Sequence, residues 1–565
     1  MQFERDVMKY AIGIDTGGTY TDAVLLNIEK RGADRVERKA KAVTTHHKLE
    51  IGIRKSIESL RLTETEILQI EKIVLSTTLA TNAIIEGKTS NVGLISIGHR
   101  PKGEIAATLI KDIEGEINIK GRIIVDINEE EVRKAVNFMK HNVSAIGISG
   151  AASTRNPILE QKAKKIAEEI CEIPVVCGHE IVNELGFLER TNTALLNAGL
   201  LHIIAGFINA IDNVIRSYGI VAPVFVVKGD GSVAKLESVR KIPIDTVLSG
   251  PAASMIGAIN LTGLENAIVA DMGGTTTDIG IVKQKRVELS HNGATVGKWK
   301  IRVKSAKLHT FGLGGDSHIR NENGFVKIGP RRVLPTCRGG IALTPTDILH
   351  YTGEFLKWNR DKTVNVVEQH ASEIGVSPED YISSVKDKLI KIIRLNTLKY
   401  NDLRLPVCAI GAPSKTWYSI ARESCDFKLI IPDHYEVANA VGAATAAIQE
   451  SVQVVIRHGE SGYGYLVHTK DSRTTFINKK EAIDFAVSEA KRLAGKAIKD
   501  QNLVLSDLYV KGEIVYSHKN KLVCDQLQIN STELFEFTDR DESYSYVECK
   551  IQAIASGKIF DSDSL

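Results

Sequence analysis

Ile12-Gly13-Ile14-Asp15-Thr16-Gly17-Gly18-Thr19-Tyr20-Thr21-Asp22-Ala23-Val24-Leu25 reads as a strand, a tight turn and a second strand. The apolar run from Tyr10 to Ile14 predicts a buried strand, Asp15 closes it, and hydroxyl residues lead into a β-rich run. Gly17 and Gly18 lack Cβ atoms, so their N–H groups can point together at an anion, with Thr16, Thr19 and Thr21 adding hydroxyl donors. Asp15, which only accepts hydrogen bonds when ionised, suits a magnesium ion held through its water shell. One such turn is also a common structural device between strands.

The pattern returns at Ile268-Val269-Ala270-Asp271-Met272-Gly273-Gly274-Thr275-Thr276-Thr277-Asp278-Ile279-Gly280-Ile281-Val282. A complete strand, turn and strand repeated at long range predicts a duplicated domain, each copy offering its turn to one ligand. Two facing turns can clamp a polyphosphate tail.

At 565 residues the chain exceeds what one hydrophobic core serves, so two or three domains are expected. With 43% hydrophobic and 25% charged residues and a formal net charge of +3, the balance gives no field for nucleic acid or membrane. The charged opening Met1-Gln2-Phe3-Glu4-Arg5-Asp6 is unlike a signal peptide, and no uninterrupted apolar stretch approaches the roughly 20 residues of a spanning helix. A cytoplasmic protein is expected. The seven cysteines (Cys171, Cys177, Cys337, Cys408, Cys425, Cys524 and Cys549) form no CxxC pair and read as reduced thiols.

Strands alternate with helices along most of the chain, which predicts α/β layers. Thr63 to Ile73 is read as a helix opened by a capping box. Ser76-Thr77-Thr78 then joins a strand to a small-residue helix, a junction that favours an anion or polar ligand group, although ordinary capping explains the hydroxyls as well. At Glu189-Arg190-Thr191 the head of a long helix collects charge; Arg190 either holds a substrate carbonyl or carboxylate or pairs with glutamate at the surface. Lys228-Gly229-Asp230-Gly231 either approaches a phosphate or forms a plain surface turn. Ser249-Gly250-Pro251 opens another small-residue helix, Gly312, Gly314 and Gly315 let backbone pass close to a ligand, and Gly411 ends a strand in a glycine turn. His309, Asp316 and His318 are a weak candidate for a divalent metal. The small residues of Ala438 to Ala447 suit either a hinge contact or plain packing. Beyond Val452 a small α+β appendage with a frayed tail at 561–565 is expected.

Taken together, the two hairpins, Ser76-Thr77-Thr78, Ile410-Gly411-Ala412 and the Ala438 to Ala447 helix resemble the actin-like (ribonuclease H-like) ATPase superfamily. Within it, Asp15-Thr16-Gly17-Gly18-Thr19, Ser76-Thr77-Thr78-Leu79-Ala80-Thr81-Asn82-Ala83, Glu189-Arg190-Thr191, Ser249-Gly250-Pro251-Ala252-Ala253 and Asp271-Met272-Gly273-Gly274-Thr275-Thr276-Thr277-Asp278 resemble the hydantoinase A/oxoprolinase family. The resemblance implies an α/β fold of two actin-like lobes around a nucleotide cleft, drawn here as 1–205 and 206–450, with the α+β region at 451–565. It implies ATP-dependent opening of a cyclic amide of hydantoin or 5-oxoproline type, or ATP-dependent carboxylation of a ketone. A small-molecule kinase and a nucleotide-switched activator are the other readings of the fold. By the resemblance, Asp15 and Asp271 are catalytic and bind Mg²⁺ through water. Thr16, Gly17, Gly18, Thr19, Thr21, Gly273, Gly274, Thr275 and Thr276 cradle the phosphates, and Gly314, Gly315 and Gly411 contact the nucleotide. Ser76, Thr77, Glu189 and Arg190 are the substrate candidates. A separate hydantoinase B-like subunit and an oligomeric enzyme are expected. Gly314-Gly315-Asp316-Ser317 departs from the family pattern by placing a carboxylate beside the expected nucleotide, and Ile328 to Pro335 departs as well.

Overall fold

Both glycine turns close antiparallel hairpins built to one register. Tyr10–Thr16 pairs with Tyr20–Asn27 so that Asp15 lies opposite Asp22, and Ala267–Met272 pairs with Thr277–Lys283 so that Asp271 lies opposite Asp278. The likeness extends past the hairpins: Ile70–Thr77 runs parallel to the first strand of one, and Val407–Ile410 parallel to the first strand of the other. The expected duplication of α/β lobes is therefore the observed architecture. This computed structural model describes residues 8–45, 48–290, 293–400, 404–424, 427–459, 463–469, 472–518, 521–527 and 543–559. The charged opening, Cys425 and the tail at 561–565 lie outside them.

Each hairpin strand is apolar on both faces because each sheet is covered on both sides. In the first, Ile12, Ile14, Ala23 and Leu25 enter one core with Ile53, Ile57 and the helix Phe187–Ser217, while Ala11, Val24 and Leu26 face another. In the second, Ile268, Ala270, Met272 and Ile279 enter a core with Tyr381, Leu389 and Trp417. Val269 and Val282 turn the other way and meet Ala11 and Val24 in a shared core.

Two helices of small residues, Ser249–Thr262 and Ala438–Thr445, fill that shared core. They pack backbone to backbone. A Cβ on Gly13 would overlap the Ala440 carbonyl, one on Gly257 the Ala438 carbonyl, and one on Gly442 the Ala253 carbonyl. Only glycine fits at these crossings.

The sheet of the first hairpin is larger than its sequence suggests. Val224–Val227 pairs with Ile70–Thr77, and Val233–Lys235 reaches Ile448–His458, to which Ser545–Lys558 and then Val504–His518 are joined. Neither division drawn from sequence, at 205 and at 450, coincides with a break in this sheet. A crossover through the long helix Phe187–Ser217 returns the chain to the strand it left, and such pairing is set by topology rather than composition. The C-terminal region is α+β as expected, with Lys479–Lys499 packed over these strands. The helix Phe187–Ser217 is long and apolar enough by length and composition to cross a membrane, though Asn197, His202 and Asn209 interrupt its apolar run; its apolar face packs into the first core.

Residues 92–177 form a separate parallel sheet, ordered Val175–Cys177, Ala145–Gly150, Val92–Ile97, Leu109–Ile113. The helix expected over Thr63 to Ile73 is shorter. A capping box of Thr63 and Glu66 opens Glu64–Leu68, and β-branched Ile70, Ile73 and Val74 then enter the sheet.

Gly257→Ala and Gly442→Ala are each expected to destabilise the protein by about 3 kcal/mol or more, because a methyl group there meets backbone that cannot rotate away. A Cβ on Gly18 meets nothing within 4 Å, so Gly18→Ala serves as the folded control. Urea denaturation of the three variants checks this; equal midpoints would refute the packing argument.

Candidate functional site

The two glycine turns face one another. A Cβ built on Gly274 would lie 3.5 Å from Thr19 Oγ1, and 3.1 Å from Asp316 Oδ2. In each turn the first glycine closes the bend by donating to a residue three further on, Gly17 to the Tyr20 carbonyl at 3.0 Å and Gly273 to the Thr276 carbonyl at 2.9 Å. Among the described residues, the N–H groups of Gly18, Thr19, Gly274 and Thr275 find no protein acceptor. They are available to an anion between the turns.

Four carboxylates stand behind those donors. The cross-strand pairs Asp15 with Asp22 and Asp271 with Asp278 put like charges side by side in each hairpin. Burial, then the charge of Asp22, raise the Asp15 carboxyl to about 7, with Asp271 adding to the rise. Burial raises Asp271, Asp22 and, to about 6, Asp278. Each hairpin aspartate is steadied by a crossing helix: Ser254 Oγ donates to Asp271 Oδ2 at 2.5 Å, and Asn439 Nδ2 to Asp15 Oδ2 at 3.3 Å. Asp15 Oδ1 is buried without a hydrogen-bond partner. Ser76, beside Asp15 in the parallel register, is near enough to favour its ionised form but makes no well-formed hydrogen bond to it. A buried carboxylate oxygen left in this state fits a cation or its bound water, and the donor set opposite fits the phosphates such a cation accompanies.

Basic groups frame the opening. Lys41 Nζ lies 2.7 Å from Asp22 Oδ1 and 5.0 Å from the centre of the Tyr20 ring. Arg338, from the second lobe, lies 5.6 Å from the same ring. Asp316 is half claimed by Arg332, whose Nε lies 3.3 Å from Oδ2, and burial raises its carboxyl despite that charge.

The profile described as hydantoinase/oxoprolinase matches residues 190–452, and the profile of its N-terminal region matches residues 11–171. The chain belongs to the hydantoinase/oxoprolinase family. It is 28% identical over 422 residues to caprolactamase subunit alpha of Pseudomonas jessenii, covering 66% of this chain and 60% of that protein. It is 28% identical over 390 residues to acetophenone carboxylase gamma subunit of Aromatoleum aromaticum, covering 60% of this chain and 52% of that protein. The chain thus spans somewhat over half the length of these two relatives. Among solved structures, nucleotide-free acetone carboxylase matches with a TM-score of 0.73 at 17% identity, over 97% of this chain and 88% of that one. The ATP-dependent caprolactamase of Pseudomonas jessenii matches with a TM-score of 0.75 at 22% identity, over 97% and 87%. These two likenesses establish the shared fold.

In this hydantoinase/oxoprolinase chain the hairpin residues named from sequence come together, and several others do not join them. Thr16 and Thr21 are occupied in supporting the turn: Thr16 Oγ1 donates to the Ser76 carbonyl at 3.1 Å, and Thr21 Oγ1 lies 3.1 Å from Thr44 Oγ1, which donates to the Gly17 carbonyl. Ser76 faces Asp15, whereas Thr77 Oγ1 accepts the Leu79 N–H at 3.1 Å as a capping group. Gly314 and Gly315 hold the second turn. Their N–H groups donate to Ser317 Oγ and to the Gly273 carbonyl, and a Cβ on Gly314 would lie 2.6 Å from the Gly274 carbonyl oxygen. Gly411, at φ 88°, leaves room beside Asp271, where a Cβ would lie 2.7 Å from Oδ1.

Arg190 is buried away from the turns and donates to the Gly150 and Ala151 carbonyls at the end of the small parallel sheet. Its neighbour Glu189 reaches Lys300 at 3.8 Å. His309 Nε2 pairs with Asn396 Oδ1 at 2.8 Å and stacks on Tyr400, so it does not converge with Asp316 and His318. Among the described residues, the group of possible ligands that does converge is Glu160, Cys177 and His179, and there Glu160 already receives the Gly150 and His179 N–H groups. Lys228-Gly229-Asp230-Gly231 is a turn, as one of its two readings has it, closed by the Gly231 N–H donating to the Lys228 carbonyl at 2.9 Å; the half-buried Lys228 side chain is held protonated by the charges of Asp230, Glu450 and Asp245.

Asp22, Asp278, Ser254 and Asn439 were given no role from sequence. The signal for the first two is present: both repeats carry a second aspartate at the same distance from the first, which in a two-stranded hairpin places it opposite. Ser254 and Asn439 carry no such mark.

The Asp15 carboxyl binds its proton more tightly in the folded chain than at its ordinary value of 3.8, so the stability this group contributes is full below about pH 4 and is lost as pH rises through about 7. Nucleotide-free protein is expected to unfold at a lower temperature at pH 8 than at pH 6. Asp15→Asn should flatten that slope and be more stable than the wild type at pH 8 by roughly 2–4 kcal/mol. Calorimetry across this range checks it, and an unchanged slope in the variant would refute the assignment.

Proposed function

We propose that this chain binds ATP with Mg²⁺ between the two turns and phosphorylates the carbonyl oxygen of a cyclic amide of hydantoin or 5-oxoproline type, which water then opens. The observation that carries this reading is the approach of Gly274 to Thr19, which brings two sets of open N–H donors and the carboxylates of Asp15 and Asp271 to one place. ATP would supply the phosphoryl group that turns a poorly electrophilic amide carbonyl into one whose carbon water can attack.

The chain's own residues do the positioning. Gly18, Thr19, Gly274 and Thr275 present backbone donors to the phosphate oxygens, and Asp15 and Asp271 hold the cation through water, steadied by Asn439 and Ser254. Closing the lobes excludes water and strengthens each of these interactions. In the overall reaction the carbonyl oxygen takes the γ-phosphoryl group and ADP leaves, one water attacks the carbon, the ring C–N bond breaks with the amine taking a proton, and a second water hydrolyses the resulting acyl phosphate to carboxylate and phosphate. A separate hydantoinase B-like subunit completes the enzyme in the cytoplasm; the matched relatives named as subunits support that partner.

Likeness to acetophenone carboxylase gamma subunit favours a second reading, in which a ketone oxygen is activated and the carbon is carboxylated. ATP turnover measured with hydantoins, 5-oxoproline, or ketones with bicarbonate, each with and without a co-purified partner, separates the two. Stimulation by a cyclic amide is expected; stimulation by ketone with bicarbonate would select the carboxylase, and a stable phosphorylated product a kinase. Nucleotide-dependent capture of a protein without small-molecule stimulation would select an activator. Asp15→Ala and Asp271→Ala should each lower turnover by about 10²-fold or more while the protein stays folded. Wild-type turnover in both would remove these residues from the mechanism.

A further inference from the structure

Far along the sheet from the hairpins, positive groups from two parts of the chain gather around one carboxylate. Arg155 follows the strand Ala145–Gly150 of the small parallel sheet. Arg457 stands on Ile448–His458, and His468 on the neighbouring Tyr465–His468, with Arg473 directly across from it on Arg473–Phe476. Glu548 lies on Ser545–Lys558. Its Oε2 is 3.3 Å from both Arg155 Nη1 and Nη2 and 3.8 Å from Arg457 Nε, while its Oε1 is 3.6 Å from Lys550 Nζ.

One carboxylate does not satisfy these groups. Arg155 Nε, Arg457 Nε and His468 Nε2 are buried without hydrogen-bond partners, and Arg155 and His468 are only 8% and 6% exposed. Burial and the charges of Arg457, Arg473 and Arg155 push His468 down to about 3, so it is neutral at physiological pH. Burial and Arg155 lower Arg457 to about 9 against the pull of Glu548. Leaving guanidinium donors buried without acceptors is costly, and a water molecule answers the hydrogen bonds without answering the charge. An oxyanion answers both.

We propose that this junction is a binding site for a small tetrahedral oxyanion of the phosphate or sulfate class, held by Arg155, Arg457 and His468, which ties the small parallel sheet to the C-terminal strands. Arg473 borders the site with Nη1 3.3 Å from the Gly121 carbonyl, so segment 118–122 of the small sheet's unit is part of the same junction. The site shares no residue with the hairpin cleft and does not depend on the nucleotide reading.

Crystals of the full chain soaked in selenate, read by selenium anomalous scattering, test the location directly. A peak among Arg155, Arg457 and His468 is expected. A peak confined to the glycine turns, or none, overturns the proposal, and the occupancy of the turns bears separately on the nucleotide site. In solution, thermal unfolding is followed as phosphate replaces chloride at constant ionic strength. Arg457→Gln removes a buried cation and should fold, with phosphate affinity at this site reduced roughly tenfold or more. His468→Gln serves if that variant fails to fold. A phosphate response in the variant equal to that of the wild type overturns the proposal.

Discussion

The close crossing of two small-residue helices is the constraint on which the rest of the molecule depends. With Gly13, Gly257 and Gly442 letting backbone touch backbone, the helices Ser249–Thr262 and Ala438–Thr445 bring two sheets to either side of one thin core. Ser254 and Asn439 sit on those helices, and each reaches the aspartate of one hairpin. The spacing that lets Thr19 approach Gly274 is therefore set at the helix crossing rather than at the turns. Larger side chains at the crossing would separate the lobes and pull the carboxylates away from their supports before they disturbed either turn.

That geometry holds buried acids at a cost. Asp15, Asp22, Asp271 and Asp278 all have raised proton affinities, chiefly because they are buried, with repulsion from neighbouring carboxylates adding to the rise at Asp15, Asp22 and Asp278. A fold that needed only stability would place apolar or amide side chains here, as it does elsewhere in the same strands. Four carboxyls kept within reach of open N–H donors would be stabilised by a cation and its anionic partner, the ligands proposed for this cleft. In the proposed reading, a bound cation would lower the proton affinity of Asp15 and phosphates would bridge the two turns.

The hairpins were legible because their signal is local. A strand, an aspartate, two glycines and a hydroxyl run occupy fifteen residues, and the second copy removes the ambiguity of the first. The same locality explains the gaps. Arg190 carries a charge at the head of a helix, which sequence reads either as a substrate contact or as a surface pair with glutamate, but the carbonyls it binds, at Gly150 and Ala151, come from the end of a different strand. Gly314 and Gly315 read as a phosphate loop, while their N–H groups serve the second turn from behind. Strand order left no trace in composition either. Val233–Lys235 meets Ile448–His458 across more than two hundred residues, and this single contact makes the C-terminal region an extension of the first sheet.

Continuity of that sheet has a mechanical consequence. The first hairpin, Ile70–Thr77, Val224–Val227, Val233–Lys235 and the long C-terminal strands form one hydrogen-bonded unit, so a displacement of the hairpin turn is carried along the sheet rather than absorbed at a linker. The small parallel sheet at 92–177 meets this unit near its far end through Arg155 and Glu548. It is also attached through the buried helix Phe187–Ser217, whose Leu195 and Ala198 pack beside Val92 and Ala145. These attachments couple the small sheet to the first lobe, so a displacement of the first hairpin would be passed to it through the shared sheet and helix.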